Sequence, residues 1–318
     1  MLVRIRRPFE IVRPGEATSE SAVLGRRRVL QGLAGGGLGV AAGVLAGCGV
    51  RGHAASSPAP SYPPLGAARS PRFTVEGPLT DEAAAARVNN FYEFTQDKDV
   101  HRYVDKFQPK PWTVEVTGLV QKPRTWGLEE LLKLPLEERV YRFRCVEAWY
   151  MNVPWTGFPL RLLLEKAEPL STARYVRFVS VLRKDEMPGQ NVPWYTWPYY
   201  EGLRLDEAMN DLTLATVGIY GHELPKQHGA PFRVIVPWKY GYKGPKSVVK
   251  VELVADQPRT FWNDQQPTEY SFESNVDPGV PHPRWSQASE RSIDGAPPRK
   301  TLLYNGYAPL VAHLYPKA

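Results

Sequence analysis

The sequence lacks the common signatures of metal and nucleotide sites. Its six histidines show no paired metal-ligand spacing and no His-Glu-x-x-His motif, so a recognisable zinc site is not expected. It has neither a Gly-x-Gly-x-x-Gly segment nor a phosphate-binding loop, which argues against a nucleotide cofactor. Heme-attachment motifs, flavin motifs and iron–sulfur sets of cysteines are missing as well. Only two cysteines occur in 318 residues, and each has its own setting.

A concentrated basic stripe, which a nucleic-acid-binding surface normally needs, is also missing. The formal net charge is +7, but residues 1–48 hold seven arginines against three glutamates and so contribute four of those charges. Nucleic acid is therefore not expected as a partner. The hydrophobic content of 42% is enough for a substantial core, and 31 prolines indicate many loops rather than a helical bundle.

The first 48 residues resemble an export signal. Arg26 and Arg27 shortly precede Val29 and Leu30, as in a twin-arginine signal, and a short, glycine-rich apolar run follows. This run is better interpreted as a removable signal peptide than as a membrane-spanning helix; the alternative is an anchor that stays in place. The twin-arginine route carries folded proteins, which suits a protein that acquires a cofactor before export. We expect the body to work in the periplasm.

The end of this leader matches a lipoprotein cleavage site. In residues 45–48, Leu-Ala-Gly-Cys, the cysteine would be lipidated and would become the first residue of the mature protein. Cys48 would then be unable to pair with Cys145. The alternative is ordinary cleavage further on, near residues 54–56, Ala-Ala-Ser.

The body is predicted to be one mixed α+β domain that is rich in strands. Residues 49–72 are rich in Pro, Ser, Ala and Gly and are predicted to be a flexible linker, so the domain should span residues 73–318. No internal repeat, second domain or regular βαβ pattern is visible. Alternation and β-branched content predict strands at 112–118, 140–144, 175–181, 214–220, 232–236 and 248–254. Helices are predicted near 128–134 and at 160–167.

Cys145 follows the predicted strand at 140–144 and lies between arginines and Glu147. A thiolate is a soft ligand for a transition metal, and the adjacent Arg144 would favour the thiolate. These features make Cys145 a candidate metal ligand or nucleophile. A lone buried cysteine is, however, more often structural. A cysteine hydrolase would need a histidine partner, and His222 and His228 carry no local signature for one.

Several longer motifs resemble one family closely. They are Asn-Asn-Phe-Tyr-Glu-Phe at 89–94, Arg-Phe-Arg-Cys-Val-Glu-Ala-Trp at 142–149, Glu-Met-Pro-Gly-Gln at 186–190, the segment 198–209, Gly-Ala-Pro at 229–231, the segment 236–244, and His-Pro-Arg-Trp-Ser-Gln at 282–287. Together they resemble the catalytic subunits of bacterial periplasmic protein-methionine-sulfoxide reductases, in the sulfite oxidase superfamily. The resemblance implies a sulfite-oxidase-type fold and a single Mo-molybdopterin. It also implies reduction of methionine sulfoxide in exported proteins by oxygen-atom transfer to molybdenum.

The resemblance also carries site residues onto this chain. Cys145 matches the molybdenum ligand, and the implied cofactor contacts are Asn89, Tyr92, Glu93, Ser180, His228, Arg233, Gly244, Pro245 and Lys246. An arginine and a lysine suit the phosphate of the cofactor. Two positions depart from the family pattern, since Ser180 stands for an expected threonine and His228 for an expected asparagine. Without the resemblance, Asn89 would be interpreted as a turn residue and Tyr92 as a core residue.

Glu147 is a second candidate catalytic residue. If residues 145–147 are extended, the side chains of Cys145 and Glu147 point the same way, and the carboxylate could relay protons beside the metal. The alternative is an ion pair with Arg142 or Arg144. The aromatic residues at 194–200 could form a shallow substrate mouth, or could simply pack.

The resemblance implies partners that the chain itself does not contain. Electrons would come from a membrane-embedded, heme-containing subunit. Independently of the resemblance, no added dimerisation domain is visible in the sequence, so the catalytic subunit is expected to be monomeric. Two alternatives remain at the level of sequence. One is a sulfite-oxidising enzyme, which the acidic Glu147 disfavours because it would repel a dianion. The other is a lipid-anchored binding protein without redox chemistry, which would not need Cys145.

Overall fold

A computed structural model of the chain describes residues 62–316. The predicted signal peptide, Cys48 and the first part of the predicted linker lie outside the described residues. No helix between residues 62 and 316 has the length and apolar character needed to cross a bilayer.

Thirteen strands are described, and they form two sheets. In chain order they are β1 Ala68–Arg69, β2 Thr113–Gly118, β3 Arg124–Gly127, β4 Glu137–Arg144, β5 Trp149–Pro159, β6 Tyr175–Ser180, β7 Tyr200–Arg204, β8 Leu214–Ile219, β9 His222–Glu223, β10 Arg233–Ile235, β11 Val248–Val254, β12 Ser289–Ser292 and β13 Arg299–Lys300. The helices are short, at Glu82–Arg87, Leu128–Leu131, Arg161–Ala167, Leu205–Ala208, Phe261–Gln265 and Ala308–Val311. Six 3-10 turns supplement them, at Val100–Arg102, Pro188–Asn191, Lys226–His228, Gly241–Lys243, Leu303–Gly306 and Ala312–Leu314.

The larger sheet is built on the β4–β5 hairpin. Strands β4 and β5 pair antiparallel from Glu137 opposite Gly157 to Arg144 opposite Tyr150. Strand β1 adds in parallel to the outer edge of β4, and β8 pairs antiparallel with β5. Strands β9 and β10 extend the sheet beyond β8, while β12 adds in parallel to the beginning of β5 and pairs with β13.

The smaller sheet has the strand order β3-β2-β11-β6-β7, in which only β2 and β11 run parallel. Strand β2 alternates as its sequence predicts, with Val114 and Val116 fully buried and with Thr113 and Glu115 exposed. Strand β11 joins the two halves of this sheet. Its beginning lies close to the larger sheet, because Val248 donates its N–H to the Phe232 carbonyl just before β10.

The strand-rich α+β fold predicted from the sequence is confirmed, and every strand and helix that was predicted is present within two or three residues. The longest strand, β5, was not predicted. All eleven of its residues are buried, so the alternation that marks a half-buried strand is missing. Pro154, Gly157 and Pro159 also resemble breaks in the strand pattern.

The ordered body begins before Phe73, where the sequence predicted its start. Ala68 and Arg69 pair with β4, and Leu65 donates its N–H to the Gly221 carbonyl. Residues 62–72 were predicted to belong to the flexible linker, so that boundary is too late. The composition of this segment is poor in apolar side chains, and it is held by backbone pairing together with packing of Leu65 against the core.

Candidate active site

Cys145 lies at the tip of the β4–β5 hairpin. The four residues 145–148 connect the strands, with hydrogen bonds from the Cys145 N–H to the Trp149 carbonyl and from the Ala148 N–H to the Cys145 carbonyl. Ala148 has a φ of 67°, which lies in the left-handed region that residues other than glycine rarely adopt. The Cys145 side chain is buried, with 6% of its surface exposed, and it accepts long hydrogen bonds from Asn90 Nδ2 and from the Glu147 N–H, both at 3.4 Å.

A cavity of about 850 Å³, including its opening to solvent, surrounds this tip. Of Cys145 and the nine implied cofactor contacts, all but Ser180 line this cavity, and Glu147 lines it as well. The predicted residues in the lining are Asn89, Tyr92, Glu93, Cys145, Glu147, His228, Arg233, Gly244, Pro245 and Lys246. The segments that contribute them are widely separated in the sequence. The structure therefore brings the predicted site together.

Ser180 is the one predicted contact that does not line the cavity. It is buried at the end of β6, and its hydroxyl donates to the Lys246 carbonyl at 2.7 Å. Ser180 thus supports the loop that carries Lys246 instead of facing the cavity. Because this contact needs only a hydroxyl, serine in place of the expected threonine preserves it.

Positive groups gather at one side of the cavity. Arg233 at the start of β10 is 2% exposed, and burial lowers its pKa to about 9. Among the described residues, its Nε and Nη2 atoms find no hydrogen-bond partner, while Nη1 donates to the His228 carbonyl at 2.7 Å. The pKa of Lys246 is lowered by burial and by Arg233. Buried cationic donors without partners are unfavourable, so this side of the cavity is complementary to an anion.

His228 lies beside these cations and stays neutral. Burial, with Arg233 as a second cause, lowers the pKa of His228 to about 3. Its Nδ1 atom has no partner among residues 62–316. The next residue, Gly229, has a φ of 95°, and a Cβ there would lie 2.7 Å from the Lys246 Cβ. Glycine at this position therefore allows His228 and Lys246 to approach each other.

Glu93 supplies the only carboxylate that is fully buried beside this group in the described cavity lining. It is 3% exposed, and burial raises its pKa while Lys246 opposes the shift. Asn89, four residues earlier, directs its amide at the Ala85 and Ala86 carbonyls at the end of the helix Glu82–Arg87. Asn89 thereby fixes the turn that brings Tyr92 and Glu93 to the cavity.

Glu147 does not pair with either arginine proposed as its alternative partner. Its carboxylate contacts Lys98 Nζ at 2.6 Å and accepts a hydrogen bond from Trp149 Nε1 at 3.1 Å. Lys98 also donates to the Asn90 side-chain oxygen. The extended conformation assumed for residues 145–147 is wrong, because they form a turn. Glu147 nevertheless lines the cavity near Cys145, and this pairing lowers its pKa against the opposing effect of burial.

Sequence reasoning missed Lys98 and Asn90 as site residues. Asn90 was part of the motif at 89–94 but was given no role of its own, and an isolated lysine eight residues later carries no pattern that links it to Cys145. The setting of the cysteine also differs from the expectation. Burial raises the pKa of the Cys145 thiol to about 12, with Glu147 as the second cause, and these outweigh the opposing effects of Lys98 and Arg144.

The aromatic residues at 194–200 belong to a larger cluster at the cavity edge. Tyr195 contacts Tyr92 and Trp262 edge to face, at centroid distances of 6.1 and 6.2 Å. Tyr199 lines the cavity and donates its hydroxyl to the Tyr242 carbonyl. Trp194 is 60% exposed. Part of this segment therefore packs, and part of it borders the opening.

The residues present fit a pterin cofactor that carries a metal and a phosphate. Cys145 offers a soft sulfur ligand at the tip of a fixed hairpin. The partnerless donors of Arg233 suit a phosphate, and the partnerless Nδ1 atom of His228 suits the polar edge of a pterin ring. No group of three or more His, Cys, Asp or Glu residues within the described range could hold a metal by itself. A single thiolate is sufficient where a cofactor supplies the other ligands.

Comparison with known proteins agrees with this chemistry. The family model described as the oxidoreductase molybdopterin binding domain matches residues 101–262. The chain is 49% identical over 306 residues to the protein-methionine-sulfoxide reductase catalytic subunit MsrP of Burkholderia mallei, covering 94% of this chain and 92% of that protein. It is 50% identical over 302 residues to the protein of the same name from Ralstonia nicotianae, covering 91% of this chain and 89% of that protein. The solved structure of the sulfane dehydrogenase SoxCD from Paracoccus pantotrophus has a TM-score of 0.42 and 18% identity over 48% of this chain and 41% of that one.

Proposed function

Because the chain belongs to the family of molybdopterin-binding protein-methionine-sulfoxide reductase catalytic subunits, we propose that it reduces methionine sulfoxide residues in exported proteins. The observation that carries this proposal is the cavity lined by Cys145 and by the buried, partnerless nitrogens of Arg233 and His228. One end of that cavity suits a metal, and its other lining suits an anionic cofactor.

The residues of the chain have distinct tasks in this proposal. When bound, molybdopterin supplies oxygen-atom transfer and two-electron chemistry at its metal. Cys145 provides the protein's sulfur ligand, and Arg233 with Lys246 holds the anionic part of the cofactor. Reduction of a sulfoxide to a thioether consumes two electrons and two protons and releases water. Glu147 lines the cavity and contacts Lys98, so the pair can pass a proton from the ammonium through the carboxylate to the reacting sulfoxide.

The cavity opening suits an oxidised methionine side chain that belongs to another protein. Tyr92, Trp262 and Tyr270 line the cavity, and Trp194 lies exposed near its aromatic edge. Aromatic faces offer apolar contact to the methyl and methylene groups that flank the sulfur. An open aromatic border also allows the rest of a protein substrate to remain outside.

We also propose a periplasmic location and a membrane-embedded heme subunit as the electron donor. The twin-arginine pattern at Arg26 and Arg27 supports the first, and lipidation of Cys48 would keep the enzyme beside the membrane. The words "catalytic subunit" in the names of the relatives support a second subunit.

The ion pair with Lys98 removes one earlier argument against sulfite as the substrate, since the charge of Glu147 is neutralised. The family therefore decides between the two reactions.

The test is metal analysis of the protein expressed with its own leader, coupled to an artificial-donor assay. We expect about one molybdenum per chain and donor oxidation that depends on methionine sulfoxide, with Cys145→Ser abolishing turnover and changing the metal's electron paramagnetic resonance signal. Oxidation of sulfite with no sulfoxide reduction would replace the proposal by the oxidase alternative. A metal-free protein from a host that makes the cofactor would favour the binding-protein alternative.

A further inference from the structure

The segment 282–301 reaches back to the loop that carries Cys145. Three successive carbonyls of this loop accept hydrogen bonds from side chains. The Cys145 carbonyl is bound by Arg144, and the Val146 carbonyl is bound by both Trp285 and Gln287. The two donors to Val146 are Trp285 Nε1 at 2.8 Å and Gln287 Nε2 at 2.7 Å. The Glu147 carbonyl receives a longer bond of 3.4 Å from Arg291 Nη2.

These hydrogen bonds are needed because the backbone of the loop 145–148 has an unfavourable conformation. Ala148 occupies the left-handed region, which costs roughly 1–2 kcal/mol for a residue with a side chain. Left to itself, the tip would sample other conformations and move the Cys145 sulfur. The contacts from 282–301 hold one of these conformations.

These contacts form a brace behind the loop, made of Arg144, Trp285, Gln287 and Glu290, and Arg144 is its centre. Its side chain is fully buried and uses three nitrogens: Nε donates to Glu290 at 2.9 Å, Nη1 donates to the Cys145 carbonyl, and Nη2 donates to Gln287 at 2.7 Å. A guanidinium donates in a fixed plane, so the positions of Glu290 and Gln287 determine where the Cys145 carbonyl is held. A lysine could not make these bonds together.

Gln287 connects the two halves of the brace. Arginine can only donate, so the atom that faces Arg144 has to be the amide oxygen, and the amide nitrogen then faces the Val146 carbonyl. The amide is therefore used at both ends. A carboxylate at this position would keep the shape but lose the donor.

The brace also leaves excess positive charge behind the loop. Glu290 is fully buried and is shared by Arg142 at 2.8 Å, Arg144 at 2.9 Å and Arg299 at 2.6 Å. One carboxylate cannot neutralise three guanidinium groups. A positive charge held close to a metal ligand stabilises the more reduced state of the metal, because that state is more negative.

We propose that Arg144, fixed by Glu290 and Gln287, is a positioning residue that sets the geometry of the Cys145 ligand and raises the reduction potential of the bound metal. The inference rests on the proposed role of Cys145 as the metal ligand. Arg144 contacts the Cys145 backbone and lies outside the cavity lining, so it acts through the cysteine and not on the substrate.

The test compares Arg144→Gln with Arg144→Lys and Arg299→Gln in the loaded holoenzyme. Molybdenum content, the metal's electron paramagnetic resonance signal and its midpoint potential are measured for each. We expect Arg144→Gln to lower the potential and alter the signal. Arg144→Lys should alter the signal with a smaller change in potential. Arg299→Gln removes one cation from Glu290 without touching residues 145–148, so its signal should stay that of the wild type.

The inference is overturned if Arg144→Gln, carrying a full complement of molybdenum, has the potential and signal of the wild type. If Arg144→Gln does not fold or load, Gln287→Glu decides, because it is nearly isosteric. Its added negative charge should lower the potential, and an unchanged potential and signal would refute the brace. Failure of the proposed ligand role looks different, since Cys145→Ser would then leave the wild-type signal unaltered.

Discussion

Replacing Arg233 with methionine should stabilise the protein without its cofactor and weaken cofactor binding. Arg233 is 2% exposed, and two of its three side-chain nitrogens have no partner among the described residues. Methionine has a comparable length and no charge, and it can pack against the Trp155 ring, which now lies 4.9 Å from the guanidinium carbon. The change removes an unfavourable buried charge that only a bound anion compensates.

The magnitude follows from the pKa of Arg233. Its decrease from 12.5 to about 9 corresponds to roughly 5 kcal/mol of penalty on the charged form. The substitution also loses the hydrogen bond to the His228 carbonyl and the contact with Trp155, together about 2 kcal/mol. A net gain of about 1–3 kcal/mol in the free energy of unfolding is expected for the apoprotein. Loss of a buried charged contact to the cofactor should weaken its binding by about 2–5 kcal/mol, which is 30-fold or more.

Denaturant unfolding of the apoprotein and metal content of the holoprotein measure the two effects. Arg139→Met is a matched control, because Arg139 is 1% exposed but pairs with Glu137 and donates to Tyr141 and to the Asp211 carbonyl. Its loss should destabilise the fold by about 3–5 kcal/mol. The reasoning would be refuted if the Arg233→Met apoprotein were less stable than the wild-type apoprotein, or if the Arg233→Met holoprotein retained as much molybdenum as the wild type.

Two further predictions concern Glu147 and His228. Glu147→Gln removes the carboxylate that Lys98 contacts, so turnover should fall at least tenfold while molybdenum content stays unchanged. The matched change Glu223→Gln, which breaks the pair with Lys110 away from the cavity, should leave turnover intact; equal rates in both variants would exclude a role for Glu147. His228 stays neutral in the folded apoprotein down to about pH 3 but is protonated below pH 6.5 when unfolded, so stability is lost as the pH falls through this window. His228→Asn should therefore reduce the loss of stability between pH 7 and pH 5 by about 2 kcal/mol, and identical pH profiles of unfolding would contradict the shift.

The sequence predicts the half-buried strand β2 and the fully buried strand β8 well, and the fully buried strand β5 poorly. Strand β2 alternates between exposed residues and the buried Val114 and Val116, which is a local signal. Strand β5 is covered on both faces and contains two prolines, so its pairing with β4 and β8 is decided by distant residues. Strand β8 is also fully buried but contains no proline, and it was predicted. The prolines of β5, and not its burial alone, therefore hide it from the local pattern.

The candidate site was also predicted only in part from the sequence. The motifs around Cys145, Arg233 and Lys246 were sufficient to identify residues that meet in one cavity. The partner of Glu147 was not predictable, because Lys98 lies 49 residues away in a loop and competes with arginines that are adjacent in sequence. Those arginines bind Glu290 instead, 146 residues or more beyond them, a contact that only the fold creates.

The braced hairpin has a consequence for the order in which the molecule can be made. The loop that offers Cys145 is complete only when Trp285, Gln287 and Glu290 have docked, and these lie within the last tenth or so of the chain. Contacts of such long sequence separation form late in folding. A chain released early would present a cysteine without a fixed direction. We therefore expect the cofactor to be retained only after these three residues have docked, and its binding free energy then stabilises the folded chain.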